Sequence, residues 1–243
     1  MRYPTIDFGT FPIYNLMTCL GVILGLLLLI RNIKTYGISE QRKDQLLFLF
    51  AIAFLSAAAL SNVGNWLIMP ELWEQPIPER IRNAGLTYYF GFIGFLGVSS
   101  LLLKVFKYEV GKCINYIIPS LLLFHSLGRL GCSFAGCCYG KIVNWKLLEV
   151  IDITRFPARE IEAFSLVILF LILQFYVQNN RLLFYLYTYP IIRFFLEFGR
   201  GDYRGEFLFG LLSPAQVISI LLITSATIYV GLKKYKFRKC SEE

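Results

Sequence analysis

The sequence is poor in charge. Among its 243 residues only 16% are Asp, Glu, Lys or Arg, whereas 56% are hydrophobic, and the mean hydropathy is +0.59. Soluble domains average roughly 25% charged residues. So little charge excludes an ordinary soluble domain and argues against nucleic-acid binding, in spite of the formal net charge of +8. The composition predicts an integral membrane protein, in which basic residues set the topology and attract anionic lipid.

Apolar runs long enough to cross about 30 Å of hydrocarbon are the main feature of the chain. Five are uncharged: 8–30, 46–69, 83–103, 163–180 and 207–232. Two more are interrupted by charge, because 113–128 ends at Arg129 and 182–198 contains Arg193 and Glu197. Counting all seven, we expect an all-α polytopic membrane bundle. It forms a single transmembrane domain over 1–243, with two longer loops at 70–82 and 131–159.

Basic residues indicate the orientation, because Lys and Arg near span ends stay in the cytoplasm. The side of the bundle that holds the tail KKYKFRK carries more of them. We therefore expect a cytoplasmic C-terminus, an external N-terminus and both longer loops on the external face.

Histidine occurs only once, and the six cysteines do not suggest a disulfide framework. Cys19 and Cys113 lie in apolar spans and Cys240 lies in the predicted cytoplasmic tail, where thiols stay reduced. Only Cys132, Cys137 and Cys138 cluster. They share the segment HSLGRLGCSFAGCCYGK, 125–141, with the single histidine.

Ionisable side chains at membrane depth are costly and usually mark a site. On a helix, the i, i+4 spacing of His125 and Arg129 places both on one face, and the spacing of Arg193, Glu197 and Arg200 does the same. In FPAREIEAF, Pro157 fits a helix start that puts three charged residues in the first turns: Arg159, Glu160 and Glu162.

Together these groups favour an anionic ligand. Three arginines against Glu162 and Glu197 leave one net positive charge, and guanidinium groups suit bidentate phosphate contacts. Glycines at 128, 131, 136 and 140 would let backbone N–H groups approach a phosphate.

Simpler interpretations stay open for each of these groups. Arg193 and Glu197 could be a structural ion pair, Arg159 and Glu160 solvated interfacial charges, and His125 a neutral, backbone-bonded histidine.

Four segments resemble the bacterial prolipoprotein diacylglyceryl transferases. GRLGCSFAGCCYGK resembles the family signature G-R-x-G-N-F-x-N-x-E-x-x-G, and RFFLEFGRGD with LLSPAQVIS is similar to its late R-x-x-x-E-F-x-R segment. FPAREIEAF resembles H-P-x-Q-L-Y-E, and YPTIDFGTFPIYNLM resembles the family's opening. The resemblance implies seven spans in a bacterial plasma membrane and no cofactor. It implies transfer of the diacylglyceryl group of phosphatidylglycerol, or another anionic phospholipid, to the lipobox cysteine of a prolipoprotein signal peptide.

Carried over by position, the resemblance also suggests site residues. Arg129, Gly140, Arg193 and Glu197 match motif positions, whereas the signature asparagine and glutamate are cysteines here. Tyr89 stands where the family has a histidine, and the tyrosine expected in the first span falls at Leu16, with Tyr14 close by. We expect the catalytic groups to be His125, Arg129, Arg193, Glu197 and Tyr89, and the binding groups to be Arg129, Gly140, Arg200, Glu162, Cys132 and Cys137.

Other uses of the segment from His125 to Cys138 remain. The histidine and three cysteines could hold a structural zinc, although the spacing lacks C-x-x-C pairs and we predict no metal. The thiols could form a covalent or redox relay, or simply fill apolar space. The whole chain could also be a non-enzymatic lipid-binding protein.

Overall fold

The computed structural model describes residues 7–8, 11–35, 38–69, 72–79, 87–135, 138–147, 151–202 and 211–242. Seven long helices make up most of this part: α1 Ile13–Thr35, α2 Glu40–Ile68, α3 Tyr88–Val105, α4 Val110–Phe134, α5 Ala158–Phe175, α6 Arg181–Phe198 and α7 Pro214–Glu242. Two small antiparallel hairpins accompany them: β1 Asp7–Phe8 with β2 Phe11–Pro12, and β3 Ile142–Leu147 with β4 Ile151–Arg155.

Each predicted span coincides with one of the helices, which confirms the all-α, multi-pass class. Five helices are long and apolar enough to cross a membrane, namely α1 to α4 and, in α7, Pro214–Tyr235. The other two, α5 and α6, are eighteen residues long but carry three ionisable side chains each. All of those charges except the half-buried Glu160 lie inside the bundle, and exposed residues such as Ile23, Leu55 and Leu101 form the outer, lipid-facing surface.

The predicted bounds are wrong at several helix ends, and the causes are local. Helix α7 begins at Pro214, and not at 207, because Ser213 and Gln216 form a capping box. The Ser213 hydroxyl accepts from the Gln216 N–H at 3.3 Å, and the Gln216 side chain accepts from the Ser213 N–H at 3.0 Å. Helix α5 begins directly after Pro157, five residues before the predicted 163, as the FPAREIEAF segment itself indicated.

The loop predicted at 131–159 contains more structure than expected. Helix α4 continues to Phe134, and the β3–β4 hairpin occupies much of the remainder. Its strands are rich in β-branched residues, as in IVNWKL and IDITR, but runs this short are a weak signal beside seven apolar helices.

Helix pairing places the charged helix ends together. Helix α1 packs along α4, α2 along α3, α4 along α5 and α6 along α7. As a result, the last turns of α4 and α6 and the first turn of α5 meet at one end of the bundle, called the site end below.

At the opposite end of the bundle, polar side chains form hydrogen bonds between the helices. The side chains of Asn32 and Gln174 exchange hydrogen bonds at 3.1 and 3.3 Å, and Asn32 also donates to the Tyr116 carbonyl. Arg181, which is buried, donates from Nε to the Val177 carbonyl at 2.7 Å and from Nη1 to the Asn115 carbonyl at 3.3 Å. These bonds join α1, α4, α5 and α6 at the end away from the site.

Candidate active site

Glu162 lies at the centre of the site end. Its side chain is fully buried, at 0% exposure, in the first turns of α5. Oε1 lies 3.2 Å from Nη2 of Arg129 and 3.9 Å from Nε of Arg193, and it accepts a 2.9 Å hydrogen bond from the Tyr189 hydroxyl. Oε2 lies 3.9 Å from Nη1 of Arg200. One carboxylate therefore gathers three guanidinium groups from α4, α6 and the segment after α6.

Arg193 and Arg200 have further acidic partners. Nη2 of Arg193 lies 2.6 Å from Glu197, one turn further along the helix, as the i, i+4 spacing predicted. Arg200 forms a two-pronged pair with Asp202, at 3.0 Å from Nε and 2.8 Å from Nη2. Burial opposes the charged form of Arg200. The hydrogen bonds that Arg200 donates to Asp202 outweigh the effect of burial and raise the pKa of that guanidinium.

The predicted net positive charge of this group is wrong. Asp202, which the sequence reasoning did not count, adds a third carboxylate, so three arginines face three acids. We call these six residues the arginine–carboxylate cluster: Arg129, Glu162, Arg193, Glu197, Arg200 and Asp202. It is neutral overall, but Nη1 of Arg193 and Nη1 of Arg200 are buried without a hydrogen-bond partner among the described residues. Those two N–H groups can still donate to an anionic ligand.

Backbone pairing fixes Arg200 against the loop after α4. Residues 140 and 200 form an antiparallel bridge, Lys141 N–H donates to the Gly199 carbonyl at 2.8 Å, and Gly201 N–H donates to the Tyr139 carbonyl at 3.0 Å. Gly140 also lies against Phe156, where a Cβ would overlap the carbonyl oxygen, so this position requires glycine. The binding role expected of Gly140 stays a prediction.

A cavity of about 450 Å³ opens beside Arg129, between helices α1 to α4. Most of its wall is apolar, with side chains such as Val22, Phe54, Phe95 and Leu121. Its histidine and its arginine come from α4, where His125, Arg129 and Cys132 follow one helix face. The i, i+4 prediction for His125 and Arg129 is confirmed, and the cavity combines a long apolar chamber with a cationic group.

His125 lines this large cavity and is 6% exposed. Neither ring nitrogen has a hydrogen-bond partner among the described residues, so the backbone-bonded interpretation is wrong within that part of the chain. The imidazole stacks on the ring of Tyr88, with centroids 3.6 Å apart and planes 8° apart. A histidine in this state can accept a proton or a hydrogen bond from a molecule in the cavity.

Tyr89 does not border the large cavity. It lines a second cavity of about 50 Å³ with Arg129, Tyr189 and Arg193, next to the first turn of α7. Its hydroxyl lies 2.7 Å from the Ser219 hydroxyl, which itself donates to the Ala215 carbonyl. The Tyr89 proton is therefore donated to Ser219, which makes this tyrosine a weaker candidate for proton transfer than His125.

Two of the three neighbouring cysteines in the segment 125–141 line the large cavity. Cys132 and Cys138 both border it, and Sγ of Cys138 makes a long, 4.0 Å contact with Nη1 of Arg129. Cys137 lies outside the described residues. Within the described ranges, no group of three His, Cys, Asp or Glu side chains is arranged to hold a metal ion.

Arg159, offered above as a solvated charge, is instead buried and paired with Glu160 at 2.7 Å.

Sequence reasoning missed three residues of this region: Tyr189 and Asp202 contact the cluster, and Tyr88 borders the large cavity. Tyr14 lies in the cavity wall, whereas Leu16 is exposed, so Tyr14 is the first-span tyrosine that faces the site. The spacing of Tyr189 and Arg193, at i and i+4, could have indicated a shared face.

Known proteins resemble this chain over nearly all of its length. The family model described as prolipoprotein diacylglyceryl transferase matches residues 5–232. A protein of Clostridium perfringens named phosphatidylglycerol–prolipoprotein diacylglyceryl transferase 2 is 29% identical over 241 residues, covering 93% of this chain and 92% of its own. Proteins named phosphatidylglycerol–prolipoprotein diacylglyceryl transferase in Clostridium tetani and Bacillus licheniformis are 26% and 28% identical. They cover 92% and 93% of this chain, and 93% and 89% of their own lengths.

Proposed function

The chain belongs to the prolipoprotein diacylglyceryl transferase family, and from this premise we propose that it transfers a diacylglyceryl group from phosphatidylglycerol to a cysteine thiol. The acceptor is the lipobox cysteine of a prolipoprotein signal peptide. We place the protein in the bacterial plasma membrane, with the site end on the external face.

One observation carries the proposal: Arg129 borders both the large apolar cavity and the buried arginine–carboxylate cluster. A glycerophospholipid has the same two parts, apolar acyl chains and an anionic phosphate. Acyl chains in the cavity would place the phosphate close to Arg129. Arg193, which borders the second cavity together with Arg129, has an unpaired Nη1 that supplies a further donor.

The reaction forms one bond and breaks another. The thiolate sulfur attacks the glycerol carbon that carries the phosphate, and a thioether S–C bond forms. The C–O bond to phosphate breaks, and its electron pair leaves with glycerol phosphate. The acceptor thiol must lose its proton, and the leaving phosphate must be stabilised.

The arginines serve the leaving group. Arg129 uses Nη2 for Glu162, so its Nη1 edge, near Cys138, remains directed to the cavity wall. A buried guanidinium offers fixed donors in surroundings with little water, where charge stabilisation is strongest. Glu162 holds the three arginines together and thereby positions them.

His125 serves the acceptor thiol. It is the single histidine of the chain, it borders the cavity, and its nitrogens have no partner in the described structure. A neutral imidazole with unpaired ring nitrogens can take the proton of an acceptor thiol. Tyr89 is held by Ser219 and Glu197 is paired with Arg193, so both are less suited to this step.

The test is a reconstituted transfer. Purified protein is incubated with phosphatidylglycerol labelled in its acyl chains and with a synthetic lipobox peptide, and the peptide is analysed by mass spectrometry. We expect a diacylglyceryl adduct on the cysteine and none on a peptide with serine in its place. Tight binding of the lipid with no adduct at any pH would instead identify a lipid-binding protein.

A further inference from the structure

We propose that Tyr88 is a positioning residue for the reaction: its ring holds the imidazole of His125 in the cavity wall, in the orientation that meets the acceptor thiol. This rests on the proposed function, in which His125 accepts the thiol proton.

The imidazole lacks the usual means of orientation. Histidine bases are commonly fixed by a hydrogen bond from one nitrogen to a carboxylate or a carbonyl. Here both Nδ1 and Nε2 of His125 lack such a bond within the described residues. The orientation must therefore come from ring packing.

Two aromatic rings supply that packing. Tyr88 covers one face of the imidazole, with centroids 3.6 Å apart and planes 8° apart. Tyr189 meets the imidazole edge to face, at 5.2 Å and 75°. Rotation of the imidazole out of its plane would have to displace the Tyr88 ring, so the stack fixes the plane in which both nitrogens lie.

Tyr88 is itself held from two sides. Its hydroxyl lies 2.7 Å from the Tyr185 hydroxyl, in the core of the bundle. Its backbone follows Thr87, which exchanges two hydrogen bonds with Ser61 of α2: Ser61 Oγ to the Thr87 carbonyl at 2.6 Å, and Thr87 Oγ1 to the Ser61 carbonyl at 2.9 Å. The ring that orients His125 therefore moves little.

The same ring borders both cavities, as does Arg129. Because its hydroxyl is occupied by Tyr185, Tyr88 contributes its face and not its proton. That distinguishes it from a catalytic residue, and it predicts that phenylalanine can replace it.

The first experiment observes the stack directly. Because His125 is the single histidine, tag-free protein labelled only in histidine gives one imidazole signal in detergent or nanodiscs. Stacking should shift the ring protons upfield in the unmutated protein and in Tyr88→Phe. In Tyr88→Leu they should return towards free-histidine values. Phe95→Leu is the matched control: it removes another aromatic wall of the cavity, stacked on Phe50, and should leave the histidine signal in place.

The second experiment measures turnover in two backgrounds. Tyr88→Leu should lower kcat about 10- to 100-fold with little change in KM for phosphatidylglycerol, since misplacing a catalytic group by an ångström costs that much. Tyr88→Phe should stay within about twofold of the unmutated protein. In a His125→Gln background Tyr88→Leu should cause no further loss, because a residue that acts only through His125 has nothing left to position.

The positioning role would be overturned if the histidine signal in Tyr88→Leu stayed at its position in the unmutated protein, or if Tyr88→Leu lowered kcat equally in both backgrounds. Either result would leave the proposed function intact. Absence of transfer by the unmutated protein would overturn the proposed function itself, and with it the catalytic use of the stack.

Discussion

Glu162 is the residue on which the geometry of the site depends. Its single carboxylate faces three guanidinium groups and a tyrosine hydroxyl, with no exposed surface. Removing one member of a buried charge group leaves the others uncompensated, at a cost of about 3–5 kcal/mol. The cluster is therefore as much a structural element as a binding one.

We expect Glu162→Gln to lower both stability and turnover. The amide keeps the size of the side chain but removes the charge that gathers the arginines, so the melting temperature should fall by several degrees. Glu160→Gln is the matched control, because Glu160 lies on the same helix, is half-buried and pairs only with Arg159 among the contacts described here. Thermal unfolding in detergent measures the stability of both variants, and the transfer assay measures their turnover. Equal melting temperatures would show that the arginines do not need Glu162.

Arg129 should act through its forked geometry as well as its charge. Arg129→Ala should reduce turnover about 10²- to 10³-fold and weaken binding of phosphatidylglycerol. Arg129→Lys should restore little, because the lysine ammonium lacks the planar fork that can hold Glu162 on one edge and bind phosphate through two parallel bonds. Arg42→Lys, at the opposite end over the Tyr108 ring, is the control for a generic loss of a guanidinium. Full rescue by lysine would contradict the bidentate role.

Substitution of His125 should affect turnover and not lipid binding. His125→Gln should leave phosphatidylglycerol binding unchanged and lower turnover by roughly 10²-fold or more, the usual scale for losing a general base. The deficit should shrink as the pH rises through about 8.5, where the acceptor thiol ionises without help. Turnover profiles of both proteins from pH 6 to 10 provide the measurement. Unmutated turnover in His125→Gln would return the histidine to a packing role.

At this scale the sequence predicted those site residues that share a helix face. The i, i+4 spacing of His125 with Arg129 and of Arg193 with Glu197 is enough to place each pair together. Asp202 and Tyr88 escaped notice because their partners come from turns and neighbouring helices, which no spacing within one segment reveals. The predicted net charge of the arginine–carboxylate cluster was wrong because Asp202 was not counted.

At the scale of elements, helix identity was predictable and helix ends were less so. Five uncharged apolar runs and two interrupted by charge located all seven helices, because a helix needs about 20 apolar residues to cross about 30 Å of hydrocarbon. The ends depend on short-range chemistry, such as the capping box of Ser213 and Gln216, which can be found only when it is sought. The β3–β4 hairpin was missed because its two strands are too short to compete with the helical signal.

Pairing between the loop after α4 and the segment after α6 depends on a glycine at position 140. Gly140→Ala would place a Cβ against the Phe156 carbonyl and separate the loop from Arg200. We expect turnover and phosphatidylglycerol affinity to fall together while the helices remain folded by circular dichroism. Gly97→Ala is the control, because a Cβ there has open space around it. Comparable activity of the two variants would mean that the loop tolerates the shift.

At the scale of the whole molecule, the untested prediction is orientation. With seven spans and a basic tail, the C-terminus should be cytoplasmic and the site end external. Fusions to a reporter active only outside the cytoplasm should be inactive at the C-terminus and active when inserted at residue 75, between α2 and α3. The reverse pattern would place the site on the cytoplasmic face, where secreted acceptors do not arrive.

The order of charges along the chain has a consequence for biogenesis. Arg129 lies in α4 and its counter-charge, Glu162, lies in the next helix, whereas Arg193 and Glu197 share α6. Neither α4 nor α5 can place its own charge in lipid cheaply, but the two together are balanced at this pair. We infer that the membrane insertion machinery receives α4 and α5 as one hairpin, and α6 as a helix in which Arg193 and Glu197 neutralise each other. Neither Arg129 nor Arg193 then waits for a counter-charge still on the ribosome.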